Sequence, residues 1–245
     1  EQIDIVGLVG GSREFEADRS TGEFTPMVSV QYEPNDNSLM YALVSKGFKS
    51  GGYNDFLGDA TATGFDSESL WNYELGFKGT FMEGKLIANA SIFYMDWEDI
   101  QLQVDNPNTP FFDPATRNAG TARSQGLELE ITSSPTEHLQ LSAGISLLDA
   151  EFTDGTLPNG DPLREIPRAP DFTGNIQGVY TFPLSEDYKL DAMINYSIVG
   201  SHYLDISNIG ESKVDSYNIL NGHIRLYTSD DKWSLTLWGR NLTDD

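Results

Sequence analysis

Strand-like segments of this chain are joined in turn by short polar turns and by long loops rich in acidic residues and glycine. The short joints are residues 34–37, 82–84, 133–137, 183–187 and 228–231. The long joints are residues 16–23, 49–67, 105–116, 153–166 and 204–215. A soluble sheet has no reason to keep its tight turns at one end, whereas an outer-membrane β-barrel has short periplasmic turns and long external loops. The rhythm therefore favours a transmembrane β-barrel.

The segments between these joints alternate between apolar and polar residues. Leu127, Leu129 and Ile131 share one face of a strand, while Glu128 and Glu130 share the other. A period of two residues with one apolar face is typical of a strand. The pattern predicts about eleven strands, at residues 2–15, 24–33, 38–49, 68–81, 85–103, 118–133, 138–152, 168–182, 187–203, 216–228 and 232–242. Alternation alone does not separate a barrel from a soluble sandwich, because the apolar face meets lipid in one and a core in the other.

Composition excludes several classes of protein. No run of about 18 apolar residues occurs, so we expect no transmembrane helix. The net charge is −23, from 38 acidic and 15 basic residues. We therefore expect no nucleic-acid partner, since phosphate binding needs a basic patch. The absence of cysteine rules out disulfides and thiolate metal sites.

Aromatic residues cluster where the strands meet the joints. One set flanks the short turns: Tyr32, Phe81, Phe182, Tyr188, Tyr227 and Trp233. A second set flanks the long loops: Phe48, Tyr53, Trp71, Trp97, Phe152, Tyr203 and Tyr217. Two aromatic girdles at the water–lipid boundaries are typical of a transmembrane barrel, although aromatic residues are also common in other β proteins.

Six segments carry a resemblance to a known family. They are YALVSKGFKSGGYN at 41–54, WNYELGFKGTFMEGKLIANASIFYMDWEDIQ at 71–101, NAGTARSQGLELE at 118–130, LLDAEF at 147–152, IPRAPDFTGN at 166–175 and WGRNLTDD at 238–245. In this order they resemble the β-barrel of TonB-dependent outer-membrane receptors, from about Ile5 to Asp245. Each motif alone is only moderately specific, but the six motifs in this order strongly support the resemblance to this family.

The resemblance implies a receptor and transporter that takes up a scarce nutrient, such as a ferric siderophore, across the outer membrane of a Gram-negative bacterium. Such receptors have a barrel of about 22 strands around an N-terminal plug. We accordingly expect an all-β fold, an antiparallel transmembrane β-barrel fragment in which residues 1–245 supply about eleven strands. The plug and the last strand are expected to lie outside this chain.

The resemblance also implies the partners of the protein. They are outer-membrane lipid, the TonB complex reached through the absent plug domain, and a small-molecule substrate such as an iron chelate. No cofactor is expected, and neither is enzymatic activity, because no Gly-x-Ser-x-Gly elbow and no Ser/His/Asp set occurs in the sequence.

Charged residues on the polar faces of the strands are the candidate ligand contacts. Alternation places Glu74, Lys78, Glu128 and Glu130 on the face that would line the lumen, and we expect Arg225 and Arg240 on the same face. These residues either contact a plug or a substrate, or are ordinary lumen residues that pair between neighbouring strands.

Metal binding is not predicted. His138, His202 and His223 show no metal-ligand spacing, and a structural or solvent-exposed role is the favoured interpretation. The loop acids Asp55, Asp59, Asp66 and Glu68 offer oxygen ligands of the kind that Ca²⁺ prefers, but their spacing does not match an EF-hand. A solvated acidic loop is the preferred interpretation.

Two other functions fit the same residues. A passive porin-like channel would share the barrel and would lack a plug. A soluble β-sandwich module that binds glycan or protein would share the alternation.

The soluble module and the barrel predict opposite behaviour of the isolated chain in water. We expect the 245-residue chain to aggregate without detergent, because a barrel fragment exposes open strand edges and an apolar face. Size-exclusion chromatography with and without detergent measures this. A stable monomer in detergent-free buffer would support the soluble module instead.

Overall fold

The computed structural model describes residues 2–9, 13–20, 22–54, 63–105 and 114–243, and these form eighteen strands and two short 3₁₀ turns. The strands are β1 (Gln2–Val9), β2 (Arg13–Ser20), β3 (Met27–Asn35), β4 (Ser38–Lys49), β5 (Gly52–Asn54), β6 (Thr63–Phe65), β7 (Glu68–Phe81), β8 (Leu86–Glu98), β9 (Gln101–Asp105), β10 (Pro114–Asn118), β11 (Thr121–Thr136), β12 (Leu139–Asp154), β13 (Phe172–Pro183), β14 (Tyr188–Val199), β15 (His202–Tyr203), β16 (Lys213–Val214), β17 (Tyr217–Thr228) and β18 (Ser234–Gly239). The 3₁₀ turns are Met82–Gly84 and Gly210–Ser212. None of the described residues forms a helix with the length and hydropathy needed to cross a membrane.

Ten strands form one large sheet in the order β18-β17-β14-β13-β12-β11-β8-β7-β4-β3. Each strand pairs antiparallel with the long strands that precede and follow it along the chain, so the sheet is a simple meander. The predicted all-β, antiparallel fold is therefore confirmed. Strands β11 and β12 have 16 residues each, more than the roughly 9–11 that a tilted strand needs to cross hydrocarbon.

The short turns all lie at one end of the sheet, as the sequence rhythm predicts, and the long connections lie at the other. Four long connections are named here as loop A (residues 50–67), loop B (99–120), loop C (155–171) and loop D (200–216). Three of them contain a small hairpin of their own: β5 with β6 in loop A, β9 with β10 in loop B, and β15 with β16 in loop D.

Side-chain oxygens close most of the short turns. Asn35 Oδ1 accepts the N–H of Asn37, and Thr136 Oγ1 accepts the N–H groups of the two residues at the end of its turn. Ser185 and Thr228 do the same in the next two turns. Local hydrogen bonds of this kind let a polar side chain satisfy the backbone without a longer loop.

The N-terminal part of the prediction was wrong. Residues 2–15 were expected to form one strand of the main sheet, followed by a loop at 16–23. Instead β1 and β2 pair with each other as a separate hairpin, in register from Gln2 with Ser20 to Val9 with Arg13. Residues 16–20, the first part of the predicted loop, look like a loop by composition, but strand pairing uses backbone groups and tolerates charged side chains. The main sheet therefore has ten strands among the described residues, not eleven.

One predicted strand is also shorter than expected. Residues 85–103 do not form a continuous strand, because β8 ends at Glu98 and β9 begins at Gln101. The break falls at Asp99, whose φ of 55° lies in the left-handed region that a strand does not contain.

The register gives the sheet two chemically different faces. A row of directly opposed apolar residues crosses six strands: Val30, Ala42, Leu75, Ile92, Leu127 and Leu147. The next row, on the opposite face, contains Gln31, Tyr41, Gly76, Ser91, Glu128 and Ser146. The large side chains of the first row are exposed, with Val30 at 65% and Leu75 at 54% of full exposure. A broad apolar face open to the surroundings is the surface that a barrel presents to lipid.

The aromatic residues only partly follow the predicted girdles. At the short-turn end Tyr32, Phe81, Phe182, Tyr188 and Trp233 are exposed, and the rings of Tyr188 and Trp233 lie 5.9 Å apart. At the loop end the ring of Trp71 stacks on that of Tyr73 at 6.3 Å.

Tyr227, Phe152 and Trp97 of the predicted girdles lie elsewhere. Tyr227 is on the polar face, where its hydroxyl donates a hydrogen bond of 3.2 Å to Asp191 Oδ1. Phe152 is buried among the loops, where Ala122, Leu163 and the partly buried Trp97 pack around it. The sequence shows that these residues stand near strand ends, but the face and the packing depend on register and on loop path.

The apolar cluster around Phe152 gives the loops a small core of their own. Phe152 N–H donates to the carbonyl of Arg164 at 2.6 Å, which holds loop C against the end of β12. Gly155 has a φ of 126°, and a Cβ there would overlap the carbonyl oxygen of Ala119 in loop B. The close approach of the two loops therefore requires glycine at this position.

The two faces predict a matched pair of substitutions on β12. Ile145→Lys places a charge on the apolar face, whereas Ser146→Lys places the same charge on the polar face beside Glu128. We expect Ile145→Lys to destabilise the membrane-inserted receptor by about 2–4 kcal/mol, because a lysine in the lipid-facing band is poorly solvated. Urea unfolding in lipid vesicles measures the difference. Equal effects of the two variants would contradict the assignment of the faces.

Candidate functional site on the polar face and in the loops

Four of the six predicted site residues come together on the polar face. Glu74, Lys78, Glu128 and Glu130 line one shallow hollow with Tyr41, and Asn89 and Ser91 complete its wall. The register explains the grouping, because Tyr41 lies opposite Gly76 while Glu128 lies opposite Ser91 on the neighbouring pair of strands. Side chains two residues apart on a strand share a face, so Glu74 and Lys78 flank Gly76 on the same side.

Tyr41 organises this group, and sequence reasoning missed it. Its hydroxyl donates a hydrogen bond to Glu74 Oε1, and Lys78 Nζ lies 5.9 Å from the centre of its ring. The ring lies across Gly76, where a Cβ would overlap ring atoms. Tyr41 stands in an apolar-looking segment, and the available signal was its alternation with Met40 and Ala42, which assigns it to the polar face.

The same arrangement recurs one strand pair away. Gly126 lies opposite Phe93, and a Cβ on Gly126 would come within 2.7 Å of the Phe93 ring. The ring of Phe93 therefore occupies the space that the missing side chain of Gly126 leaves on the polar face.

Arg225 and Arg240 share the predicted face but not the hollow. The guanidinium of Arg225 lies 4.5 Å from the Tyr227 ring centre and 3.7 Å from Asp231. Arg240 lies 5.1 Å from the Trp238 ring centre, in a second hollow lined by Asn195, Asn221 and His223.

The charge on the polar face therefore changes from negative to positive across the sheet. Carboxylates concentrate on β7 and β11, and arginines lie on β17 and beyond the end of β18. Between them are neutral residues with hydroxyl or amide groups: Ser142, Asn175, Gln177, Asn195 and Ser197. A molecule in contact with this face therefore meets hydrogen-bond donors, hydrogen-bond acceptors and charges of both signs.

Two of the loop acids considered as calcium ligands, Glu68 and Asp66, lie among the described residues. Glu68 Oε2 accepts the backbone N–H of Gln101 at 2.7 Å. The backbone carbonyl of Asp66 accepts hydrogen bonds from the side chains of Gln101 and Asn118. Asp55 and Asp59 lie outside the described residues. Across the described part of the chain, no three histidine or acidic side chains are grouped in a way that would hold a metal ion.

The histidines have separate surroundings. The ring of His138 lies 6.4 Å from that of Tyr180, and His202 Nδ1 lies 3.1 Å from the carbonyl oxygen of Gly200. His223 lines the hollow that contains Arg240.

Loop D begins with a turn that an ionised carboxylate stabilises. Asp205 accepts hydrogen bonds from the hydroxyl and the backbone N–H of Ser207, and the hydroxyl bond lowers the pKa of Asp205 below its ordinary value of 3.8. A lowered pKa in the folded state stabilises the fold above the ordinary pKa, and this contribution is lost as the pH falls through the lowered value. The Asp205 carboxylate therefore keeps this contribution throughout the neutral and mildly acidic range.

Comparison with known proteins assigns the family. The family model described as TonB dependent receptor-like, beta-barrel, matches residues 4–242, almost the whole chain. The chain belongs to this family. Its location is accordingly the outer membrane of a Gram-negative bacterium, as expected from the sequence.

Curated relatives of this TonB-dependent receptor barrel are named for metal chelates. The chain is 31% identical over 202 residues to the metal-pseudopaline receptor CntO of Pseudomonas aeruginosa, a match that covers 82% of the chain and 27% of the relative. It is 29% identical over 239 residues to the ferric-pyoverdine M114 receptor PbuA of Pseudomonas sp., covering 91% and 26%. The chain thus spans about a quarter of the length of these relatives.

Solved structures agree on the fold. The ferric yersiniabactin uptake receptor FyuA from Yersinia pestis superposes with a TM-score of 0.80 at 22% identity, over 100% of this chain and 36% of that one. The siderophore receptor PiuA from Acinetobacter baumannii gives 0.71 at 22% identity, over 97% and 34%. At this level of identity the comparison shows a shared fold.

The contact between Tyr41 and Gly76 predicts a position-specific cost of adding one methyl group. Gly76→Ala forces the Tyr41 ring off the sheet, whereas Gly178→Ala places its Cβ 3.4 Å from Leu141, an ordinary contact. We expect Gly76→Ala to destabilise the receptor by about 1–3 kcal/mol, because overpacking displaces a well-packed ring. Urea midpoints in detergent micelles compare the two variants. A similar midpoint for both would argue against the ring packing.

Proposed function

We propose that this chain forms part of the barrel wall of an outer-membrane receptor that takes up a metal chelate, such as a ferric siderophore, with energy supplied through TonB. The relatives named above are receptors for pseudopaline–metal and ferric pyoverdine complexes, which supports this class of substrate. Since the chain spans about a quarter of those relatives, we also propose that residues 1–245 are a partial barrel domain and that the plug and its TonB contact lie elsewhere in the protein.

The observation that carries the proposal is the two-faced sheet. Its apolar face suits lipid, and its polar face combines carboxylates, amides, hydroxyls and arginines across the ten-stranded sheet. On this face Tyr41 bonds to Glu74, and Asp191 bonds to Thr181 and Tyr227, all between neighbouring strands.

The six predicted residues have distinct proposed roles on this face. Glu74, Glu128 and Glu130 offer acceptors, and Arg225 and Arg240 offer charged donors. Lys78 lies beside Tyr41 within the carboxylate group. We propose that these side chains contact a plug or the passing chelate.

Energised uptake is tested by transport with and without TonB. Cells that lack their own iron-chelate receptors are given the full-length protein and supplied with ⁵⁵Fe-loaded pyoverdine or yersiniabactin, or with metal-loaded pseudopaline. We expect uptake of at least one chelate, falling to the level of receptor-free cells when tonB is deleted or a protonophore is added. The reason is that a plugged barrel opens only when energy is supplied.

The same measurement separates the receptor from a porin-like channel. A passive channel continues to conduct when TonB is removed, and it conducts ions in a planar bilayer. Uptake that is unaffected by loss of TonB would contradict the receptor proposal and support the channel.

A further inference from the structure

Gln101 is a buried side chain that connects two surface loops. Only 9% of the residue is exposed, and its Nε2 lies 2.9 Å from the carbonyl oxygen of Ser50 and 3.0 Å from that of Asp66. A third carbonyl, that of Lys49, lies at 3.3 Å. A side-chain amide has two hydrogens, so the two shorter contacts are full hydrogen bonds and the third is weaker. Gln101 stands in loop B, and its three acceptors lie in loop A and at the end of β4.

Two asparagines join the same loops by paired hydrogen bonds. Asn54 of loop A donates from Nδ2 to the carbonyl of Thr116 at 2.7 Å and accepts the N–H of Thr116 at Oδ1 at 2.8 Å. Asn118 of loop B donates to the carbonyl of Asp66 at 2.9 Å and accepts the N–H of Asp66 at 2.6 Å. Each amide thus presents a donor and an acceptor to one backbone residue, as a neighbouring strand would.

These contacts differ from those of an ordinary exposed loop. A buried side-chain amide without partners is costly, and the carbonyls of Ser50 and Asp66 accept the two hydrogens of the Gln101 amide. The partners are separated by 35 to 62 residues in sequence, so local turn geometry cannot produce the pairing. The three side chains Asn54, Gln101 and Asn118 are here named the latch.

We propose that Gln101 is a positioning residue that locks loops A and B into one unit, so that the hairpins β5–β6 and β9–β10 keep a fixed relation to each other. Gln101 bonds to Ser50 at the start of loop A, and Asn118 bonds to Asp66 near the end of loop A. Asn54 bonds to Thr116 and so joins the hairpin of loop A to the hairpin of loop B. Loss of the central amide loosens all three connections.

The consequence for uptake rests on the proposed function. A chelate that approaches the barrel meets the two loops as one preformed wall, so the cost of ordering them is met during folding and not during binding. Loosening the latch then raises the chelate concentration needed for half-maximal uptake and leaves the maximal rate unchanged.

Hydrogen–deuterium exchange of the full-length receptor, without any chelate, tests the latch directly. Gln101→Met keeps the length of the side chain and removes its donors. We expect exchange to accelerate by about tenfold in the peptides that contain the Asp66 and Thr116 amides. Thr116 bonds to Asn54 and not to Gln101, so its response reports coupling between the loops.

Gln103→Met is the matched control, because Gln103 lies on the same strand two residues along and is exposed. It should leave exchange at the Asp66 amide unchanged. Gln103 lies opposite Thr116 in the β9–β10 hairpin, so this control is judged at Asp66 alone. The reciprocal variant Asn54→Ala should accelerate exchange at the Gln101 amide, and it decides the matter if Gln101→Met does not fold. The proposal is overturned if Thr116 is unaffected by Gln101→Met, if Gln103→Met accelerates exchange at Asp66 to the same extent, or if Asn54→Ala leaves Gln101 protected.

Uptake by the same variants is measured separately. A higher half-saturation for Gln101→Met, with wild-type values for Gln103→Met, supports the consequence for binding, and equal half-saturation values contradict it. If the unaltered receptor transports none of the chelates, the proposed function fails while the exchange result still decides whether the latch exists.

Discussion

The backbone register of the antiparallel sheet is the constraint on which the rest of this structure depends. Because successive side chains point to opposite faces, one fixed register sets Leu75, Ile92 and Leu127 in a continuous apolar row and Gly76, Ser91 and Glu128 in a polar row beside it. A slip of one residue between two strands would bring carboxylates to the lipid face. The lipid surface, the carboxylate hollow and the path of the loops are all consequences of this alignment.

Side-chain hydrogen bonds and ring packing stabilise the register at both ends of the sheet and in its middle. Side-chain oxygens such as Thr136 and Ser185 close the short turns, so each hairpin has a defined length. Tyr41 over Gly76 and Phe93 over Gly126 place an aromatic ring of one strand on a glycine of its neighbour. At the far end the amides of the latch and the Phe152 cluster supply the packing that long loops otherwise lack. The described parts of these loops are thereby packed and hydrogen-bonded to one another.

Sequence reasoning reached the fold class and the placement of short turns and long loops at opposite ends of the sheet, because each depends on alternation along a strand and on the order of the joints. It failed where composition alone decided the prediction. Residues 16–20 were expected in a loop but pair as part of a strand, and Tyr227 bonds to Asp191 on the polar face instead of joining the aromatic girdle. Tyr41 and Gln101 were missed because their roles come from partners more than thirty residues away.

The sequence by itself determined that this chain alternates apolar and polar residues between short turns and long loops, and that its motifs match one receptor family. Alternation, the lengths of the joints and the order of the motifs are properties of the sequence itself, so they can be read before the chain folds. Only the tertiary structure decided which strands are neighbours and in what register, and hence that Tyr41 meets Glu74 and that Asn54 meets Thr116. Contacts between distant segments depend on loop closure and on backbone pairing across strands, which the periodicity of one segment does not encode.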